Sequence, residues 1–316
     1  MSAAPRAGHD AEAGARDGAD RGQGRLSEAA KGHLAMLAFS ALVAGSFPLA
    51  AMAVPFVSPA ALNALRFLLA AALVGAAALA GPGLQRGYFR APWRYLLLGG
   101  IFAIYFVMMF EGLKTADPVS ASSMFTLVPL MAAVVGWVLL RQVTTPRMAL
   151  ALAIGAAGAL WVIFRADVGA LMQFQIGPGE RIYFIGCIAH AIYAPLVPKL
   201  NRGEPPVVFT FGMLVAGAVV LGTWGMPQIL ATDWAQLPAI VWITLAYTTI
   251  CASAMTFVLL QYAAMRLPSA KVMAYTYLTP SWVILWQAAL GRGFPPVMIL
   301  GGVALTILAL VILLKD

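Results

Sequence analysis

Three ionisable side chains fall inside long apolar segments of the chain: Arg66, Glu111 and His190. A charge at the centre of a membrane helix costs ~2.5–3.5 kcal/mol on insertion scales, so its presence there indicates a function. At ~1.5 Å of rise per residue, Arg66 should lie about 10 Å below the outer membrane surface and Glu111 about 24 Å from the inner one. We therefore predict an Arg66–Glu111 pair that gates an outer mouth or coordinates a zwitterionic substrate. The alternative is that both side chains snorkel to the outer interface.

His190 is expected near the middle of the sixth apolar segment. It is the titratable side chain at that depth whose unperturbed pKa, about 6.5, lies near physiological pH. This makes His190 a candidate for proton coupling. A histidine in a membrane helix also serves as a hydrogen-bond donor in helix packing, and that alternative stays open.

The ninth segment carries a polar and aromatic stripe with spacings of 4, 4, 3 and 4 residues, made by Lys271, Tyr275, Thr279, Trp282 and Trp286. These spacings place the five side chains on one helical face. A face of this composition is unusual against lipid, so we predict that it lines a cavity and binds substrate through its aromatic rings. The alternative is packing against a neighbouring helix, with Lys271 snorkelling to the nearby interface.

Hydroxyl side chains recur in two other segments. Ser122 and Thr126, four residues apart in the fourth segment, are candidate substrate-binding residues, with close helix packing as the alternative. Small hydroxyl residues let membrane helices approach closely. That role is predicted for the hydroxyl residues of the eighth segment, which are Thr244, Thr248, Thr249, Ser253 and Thr256.

The elements that position these side chains are apolar segments about 20 residues long. The chain is 62% hydrophobic and 10% charged, with a mean hydropathy of +0.87, which is outside the range of soluble domains. Ten segments are long enough to cross a hydrocarbon core of ~30 Å; they are 34–54, 60–80, 95–113, 119–140, 147–165, 182–200, 206–226, 237–260, 269–290 and 296–314. We predict an all-α integral membrane protein, because a helix satisfies its own backbone hydrogen bonds in lipid.

The distribution of positive charge predicts the orientation. From residue 21 onward, counting Lys and Arg by loop gives thirteen on one side of the membrane and four on the other, so both termini are expected in the cytoplasm. The net charge of +8 follows this asymmetry, and no nucleic-acid partner is expected. Residues 1–32 contain no apolar run and are predicted to form a disordered cytoplasmic tail. The composition fits a multi-pass protein of a bacterial inner membrane.

The two halves of the chain resemble each other. Pro129 and Arg141 are twelve residues apart at the end of the fourth segment, and Pro280 and Arg292 repeat that spacing at the end of the ninth. Each half has five segments, an odd number, so two copies of one fold must lie in the membrane with opposite topology. We predict two inverted five-helix repeats, 33–165 and 182–316, joined by a loop over 166–181. This arrangement is typical of secondary transporters, whose substrate site lies between the repeats.

Several motifs occur in the order found in EamA-type members of the drug/metabolite transporter superfamily, which the chain resembles over about 34–315. They are Gly45-Ser46-Phe47, Pro59 followed by Leu65-Arg66-Phe67, Leu113-Lys114-Thr115 before Pro129, and the run from Met265 to Ala270 before Pro280. The chain departs from the family at Arg141-Gln142 and Gly291-Arg292, where members commonly carry Gly-Glu. The resemblance implies transport of small metabolites, amino acids or drugs without ATP hydrolysis, often as export.

The sequence lacks the motifs of ATP-driven and hydrolytic proteins, and Cys187 and Cys251 offer no metal-ligand set. We therefore expect no enzyme activity, no cofactor and no metal. The predicted function is export, by alternating access, of an amino acid, an amino-acid derivative or an amphipathic aromatic compound. Phosphates and dicarboxylates are disfavoured because few charges lie at mid-depth. The alternatives are a channel or an intramembrane lipid-handling protein. Membrane lipid is an expected partner, and a homodimer stays open.

Overall fold

The computed structural model describes residues 27–141, 143–264, 266–267 and 269–315, and within these ranges the regular structure is entirely helical. Nine helices in the described part are long and apolar enough to cross a membrane. A tenth apolar segment, 269–289, is broken into three consecutive helical pieces. The predicted all-α membrane fold is confirmed, and the predicted ten segments agree with nine such helices and one interrupted segment.

The ten segments are numbered here in chain order, α1 to α10. Their bounds are α1 Glu28–Ala53, α2 Pro59–Ala80, α3 Trp93–Gly112, α4 Pro118–Leu140, α5 Pro146–Ile163, α6 Pro178–Leu200, α7 Pro206–Trp224, α8 239–264, α9 269–289 and α10 Val297–Leu314. Of the predicted tail, residues 1–26 lie outside the described residues. Residues 28–32 already belong to α1, so the first helix begins earlier than predicted. Two short helices, Val168–Met172 and Met226–Ala231, lie in the connections.

Proline and capping residues set several of the helix starts. Pro occupies one of the first two positions of α2, α4, α5, α6 and α7, where its missing N–H costs no helical hydrogen bond. The Asp117 carboxylate accepts from the backbone N–H groups of Val119 and Ser120, and the Thr145 hydroxyl accepts from that of Met148. These caps satisfy donors that the first turn of a helix leaves unpaired.

Four segments are irregular near their middle. α1 is interrupted at Gly45, and α4 is interrupted between Phe125 and Val128. In the second half, α8 contains a π-helical stretch over Ile250–Met255, and α9 contains a 3₁₀ turn over Tyr275–Leu278. A proline within an apolar segment predicts a kink or an interruption of its helix. Pro129 and Pro280 are the second residues of the second pieces of α4 and α9. Pro195, by contrast, lies inside the continuous helix α6.

Glycine permits the closest helix crossings. A Cβ atom on Gly158 would lie 2.5 Å from the carbonyl oxygen of Gly302, so α5 and α10 meet backbone to backbone there. A Cβ on Gly99 would lie 2.6 Å from the carbonyl oxygen of Met213 in α7. Glycine therefore permits close helix packing at these positions. Gly100 has no such role, because a Cβ atom there would face open space.

Helix neighbours correspond between the two halves. α3 packs against α6 and α8 packs against α1, while α2 packs against α7 and α5 against α10. If each helix is replaced by its counterpart in the other half (α1 by α6, α2 by α7, α3 by α8 and α5 by α10), the α3–α6 pair becomes the α8–α1 pair. The α2–α7 and α5–α10 pairs stay the same under this exchange. Large apolar side chains such as Leu68, Val134 and Trp137 point outward from the bundle. The outer surface is thus suited to lipid.

Both ends of the described chain lie at one end of the bundle, which we call the terminal face. Leu314, at the end of α10, packs against the cluster that contains Met36. Arg266, in the connection before α9, donates from Nε to a Glu28 carboxylate oxygen at 2.8 Å. The opposite end, with the connections after α1 and α3, is called the distal face. The terminal face is the one that the charge count assigns to the cytoplasm.

Candidate functional site: a central cavity between the two halves

A cavity of about 560 Å³ lies at the centre of the bundle. Its volume is within the usual range of small-molecule sites, ~300–1,000 Å³. Side chains from both halves line it, in segments α1, α2, α3, α4, α6, α7, α8 and α9. The polar and ionisable ones are Ser46, Arg66, Tyr105, His190, Tyr193, Asn201, Thr210, Ser253, Thr256 and Thr276. The cavity is therefore shared by the two repeats.

The cavity reaches the terminal face but is closed toward the distal face. Asn201, Pro206 and Leu260, at the terminal ends of α6, α7 and α8, belong to its lining. On the distal side, the Tyr105 and Tyr183 hydroxyls lie 3.3 Å apart and Tyr183 is fully buried. The Phe47 ring packs edge-on against Tyr183 at 6.1 Å between centroids. This layer of rings separates the cavity from the distal face.

Arg66 is the charged side chain among the described residues that line the cavity. It is only 1% exposed. Its Nε and Nη2 atoms donate to the Ser253 hydroxyl oxygen at 3.3 and 3.0 Å, and its guanidinium carbon lies 3.9 Å from the centre of the Phe106 ring. Nη1 is buried without a hydrogen-bond partner in the described part of the chain. Arg66 therefore contacts a neutral hydroxyl and an aromatic ring, and one of its donor nitrogens is unused there.

The π-helical stretch of α8 presents Ser253 to this guanidinium. A π-turn widens the helix by one residue, and such insertions are frequent at functional sites. The Ser253 hydroxyl donates to the carbonyl oxygen of Thr248, five residues earlier, at 2.8 Å, which leaves its lone pairs for Arg66. Ser253 and Thr256, which were predicted as close-packing residues, also line the cavity. Thr244 does pack as predicted, donating to the Leu49 carbonyl oxygen at 3.0 Å.

The predicted pair between Arg66 and Glu111 is not formed. Glu111 lies at the distal end of α3, and its carboxylate is 2.6 Å from the Lys114 ammonium, with about a third of the side chain exposed. Met109, two residues earlier, lines the cavity. Two residues correspond to about 200° of helix rotation, so Glu111 points away from the cavity that Met109 faces.

His190 lies on the cavity wall within a box of aromatic rings. Its ring centre is 4.5 Å from that of Tyr105, 5.5 Å from that of Phe125 and 5.8 Å from that of Tyr193. Its Nδ1 atom is buried without a hydrogen-bond partner. The structure therefore does not support the alternative of a helix-packing hydrogen bond through Nδ1. Its role in proton coupling stays a prediction.

Aromatic side chains form most of the apolar wall. The Phe102 and Tyr193 rings are stacked at 4.6 Å between centroids, and Phe102 meets Phe106 edge-on at 4.8 Å. Offset-stacked and edge-to-face pairs of this kind stabilise one another by ~0.5–1.5 kcal/mol beyond their buried area. The wall is therefore a rigid aromatic surface against which a flat apolar group would pack.

The predicted cavity-facing stripe of α9 instead packs against α1. Trp282 donates from its indole nitrogen to the Ser40 hydroxyl at 3.0 Å, and Trp286 donates to the Ala41 carbonyl oxygen at 3.3 Å. The Tyr275 hydroxyl lies 2.9 Å from His33 Nδ1, and the Thr279 hydroxyl donates to the Thr276 carbonyl oxygen at 2.7 Å. These four residues are not part of the cavity lining. The stated alternative of packing against a neighbouring helix agrees with the contacts of Tyr275, Trp282 and Trp286, whereas the Thr279 hydrogen bond stays within α9.

Residues next to that stripe line the cavity. They are Val272, Met273 and Thr276. The 3₁₀ turn at Tyr275–Leu278 turns more tightly per residue than an α-helix, so positions before and after it do not keep one α-helical face.

Ser122 and Thr126 do not line the cavity either. The Ser122 hydroxyl donates to the Val119 carbonyl oxygen at 2.8 Å, and the Thr126 hydroxyl donates to that of Ser123 at 2.7 Å. Both side chains are fully buried. Their hydrogen bonds stay within α4, so packing rather than substrate binding accounts for them.

A buried ion pair fixes the backbone beside the mouth of the cavity. Arg94 Nη2 donates to a Glu204 carboxylate oxygen at 2.6 Å, and both side chains are almost completely buried. Arg94 also donates to the Leu200 carbonyl oxygen at 2.6 Å, and the Arg202 backbone N–H donates to Glu204 at 2.6 Å. Burial opposes ionisation of Glu204, but these donors outweigh it and hold its pKa below the ordinary value of 4.5. The pair joins the start of α3 to the α6–α7 connection.

Comparison with known proteins gives matches over most of the chain. The EamA-like transporter family matches residues 30–164 and, a second time, residues 178–315. The uncharacterized transporter YyaM of Bacillus subtilis (strain 168) is 25% identical over 274 residues, which cover 86% of this chain and 90% of that protein. A protein crystal structure with 22% identity superposes with a TM-score of 0.65 over 87% of this chain and 94% of the other. That structural likeness concerns the fold alone.

Proposed function

Since the chain belongs to the EamA-like transporter family and is a multi-pass membrane transporter, we propose that it is a secondary carrier for a small organic molecule. The carrier works by alternating access, and its substrate occupies the central cavity. The observation that carries this proposal is a site that both repeats line and that is closed toward one face of the bundle. Carriers built from inverted repeats bind substrate at such an interface, near the middle of the membrane.

The structure corresponds to a state open to the terminal face. The substrate enters between the ends of α6, α7 and α8 and stops at Arg66 and the layer of rings around Tyr105. The positive-inside rule assigns the terminal face to the cytoplasm. We therefore propose loading from the cytoplasm and export, in a bacterial inner membrane with both termini cytoplasmic. The role of His190 in this proposal is to couple export to the movement of a proton.

Counterflow in proteoliposomes tests the carrier function. Vesicles are loaded with a pooled extract of small metabolites, and solutes that exchange with the external pool are identified by mass spectrometry. A carrier accelerates exchange when substrate is present on both sides, whereas a channel does not. Exchange that is no faster than in protein-free vesicles would overturn the carrier function, and flux without acceleration by internal substrate would indicate a channel.

One pair of variants tests whether the substrate exchanges through the cavity. Ala194 lines the cavity beside Tyr193, so Ala194→Trp fills space that the substrate needs. Ala72 lies on the exposed surface of α2, so Ala72→Trp adds the same ring where lipid accommodates it. We expect Ala194→Trp to abolish exchange and Ala72→Trp to retain it. Equal exchange by both variants would place the pathway elsewhere.

A further inference from the structure

We propose that the cavity selects a small organic monoanion, a molecule with one ionised acidic group and a flat apolar body, through the unused donor of Arg66. This inference rests on the carrier function proposed above and names its substrate class. It follows from the position of the Arg66 guanidinium at the closed end of the cavity, with an aromatic wall beside it.

The first argument concerns charge. The described residues that line the cavity include neither Asp nor Glu, so no carboxylate there compensates Arg66. The hydroxyl of Ser253 and the ring of Phe106 stabilise the guanidinium, but both are neutral. A buried charge without a counter-ion is unfavourable. An anionic ligand is therefore attracted by the Arg66 guanidinium, whose desolvation cost has already been met on folding.

The second argument concerns geometry. Nε and Nη2 donate to Ser253, whereas Nη1 is buried and has no hydrogen-bond partner among the described residues. A guanidinium N–H bonded to a carboxylate or sulfonate oxygen forms a charge-assisted hydrogen bond, roughly twice as strong as a neutral one. One free nitrogen on one cation accommodates a single acidic group. Phosphates and dicarboxylates would leave a second negative charge without a partner.

The third argument concerns the rest of the ligand. Phe102, Phe106 and Tyr193 present aromatic surface beside the guanidinium, which suits a planar or apolar body. An amine of the same shape would be repelled by Arg66. A zwitterion would place its ammonium group in a cavity whose described lining offers no carboxylate. The predicted zwitterionic substrate depended on Glu111, which lies outside the cavity.

A matched ligand series tests the selectivity. The purified full-length protein is titrated with 3-phenylpropanoate, its neutral amide, 3-phenylpropylamine and phenylalanine, following tryptophan fluorescence and the midpoint of thermal unfolding. Loss of a charge-assisted hydrogen bond should weaken binding of the amide by about tenfold or more relative to the carboxylate. The amine and the zwitterion should bind no better than the amide. Equal binding of carboxylate and amide would overturn the proposal.

Three variants assign the preference to Arg66. Arg66→Gln should remove the preference for the carboxylate, and Arg66→Lys should keep it at lower affinity because the point charge remains. Arg147→Gln makes the same change at an exposed arginine and should behave as the unmodified protein. If Arg66→Gln does not fold, Arg66→Lys and the ligand series decide. A carboxylate preference that survives in a folded Arg66→Gln protein would overturn the assignment.

Flux of a phenylalkyl sulfonate distinguishes this inference from the carrier function. 3-Phenylpropane-1-sulfonate stays ionised near neutral pH and therefore does not cross the bilayer as a neutral acid. Counterflow of the sulfonate that requires Arg66 supports both proposals. Counterflow of amines or neutral solutes, with anions exchanged no better, would overturn the monoanion preference and leave the carrier function intact. Anion binding that requires Arg66 without flux of any solute would support the selectivity and contradict transport.

Discussion

The guanidinium of Arg66 in α2 donates twice to the hydroxyl of Ser253 in α8, at 3.3 and 3.0 Å. The bond joins the first repeat to the second at the wall of the central cavity. It depends on an insertion in α8, since Ser253 lies in the π-helical stretch. A buried arginine is thereby held in place without a carboxylate that would neutralise it.

Ser253→Ala should destabilise the protein and disturb Arg66. The change leaves buried guanidinium donors without their acceptor, which costs about 1–3 kcal/mol. The midpoint of unfolding should fall, and affinity for the carboxylate ligand should change. Thr223→Ala is the control, because the Thr223 hydroxyl is exposed and bonds only to the backbone of its own helix. Equal effects of the two substitutions would contradict the role of Ser253.

Trp282→Phe should lower stability without altering substrate recognition. The variant retains most of the ring but loses the hydrogen bond to Ser40, worth about 0.5–1.5 kcal/mol. We expect an unchanged KM for exchange. Thr276→Val is the comparison, since it replaces a hydroxyl on the cavity wall at similar volume and should change KM. A shift in KM for Trp282→Phe as large as for Thr276→Val would indicate that the α9 stripe belongs to the substrate site.

His190→Gln should remove the pH dependence of exchange near neutral pH. The titratable groups that face the His190 ring are Tyr105 and Tyr193, whose ordinary pKa of about 10 lies far from this range. His33→Gln is the control, because His33 bonds to Tyr275 and is not part of the cavity lining. Exchange rates are measured between about pH 5.5 and 8. An unchanged pH profile in His190→Gln would exclude proton coupling through this residue.

Glu204→Gln should be strongly destabilising. Removing one partner of a buried ion pair leaves the other charge uncompensated, which costs about 3–5 kcal/mol. Glu111→Gln removes an exposed partner of Lys114 and should cost about 0–1 kcal/mol. Unfolding midpoints of the two variants provide the comparison. Similar midpoints would mean that the Arg94–Glu204 pair contributes no more than a surface contact.

The same pair predicts how stability depends on pH. The pKa of Glu204 is lower in the folded protein than its ordinary value of 4.5. Its contribution is therefore fully present above pH 4.5 and disappears as the pH falls through the folded pKa. The difference in unfolding midpoint between the unmodified protein and Glu204→Gln should be constant near neutral pH and shrink under acid conditions. A difference that persists unchanged well below pH 4 would contradict this ionisation.

Hydropathy predicted the segments closely, because lipid imposes one length and one composition on every crossing. The predicted seventh segment, 206–226, corresponds to helix Pro206–Trp224, and the predicted tenth, 296–314, to Val297–Leu314. Pro129 and Pro280 also indicated where α4 and α9 are interrupted. These features are local, so the sequence contains them directly.

The rotation of each helix about its axis could not be predicted in the same way. Depth calculations put Arg66 and Glu111 in the same half of the membrane, but they do not tell which way a side chain points. The residues from Tyr275 to Trp286 were predicted to face the cavity, whereas Tyr275, Trp282 and Trp286 contact α1 instead. The interaction of Ser253 with Arg66 depends on a π-turn that the sequence pattern of α8 did not reveal.

The uncompensated guanidinium has an electrical consequence for a carrier of this kind. In the proposed transport cycle, the cavity without ligand holds the positive charge of Arg66 within the bilayer, and a bound monoanion cancels it. Moving one elementary charge through the full membrane potential is worth about 2.3 kcal/mol per 100 mV. The membrane potential should therefore change the rate at which the empty carrier reorients and hardly change the rate at which the loaded carrier does. The resting potential would then determine how quickly the empty carrier returns to bind the next substrate.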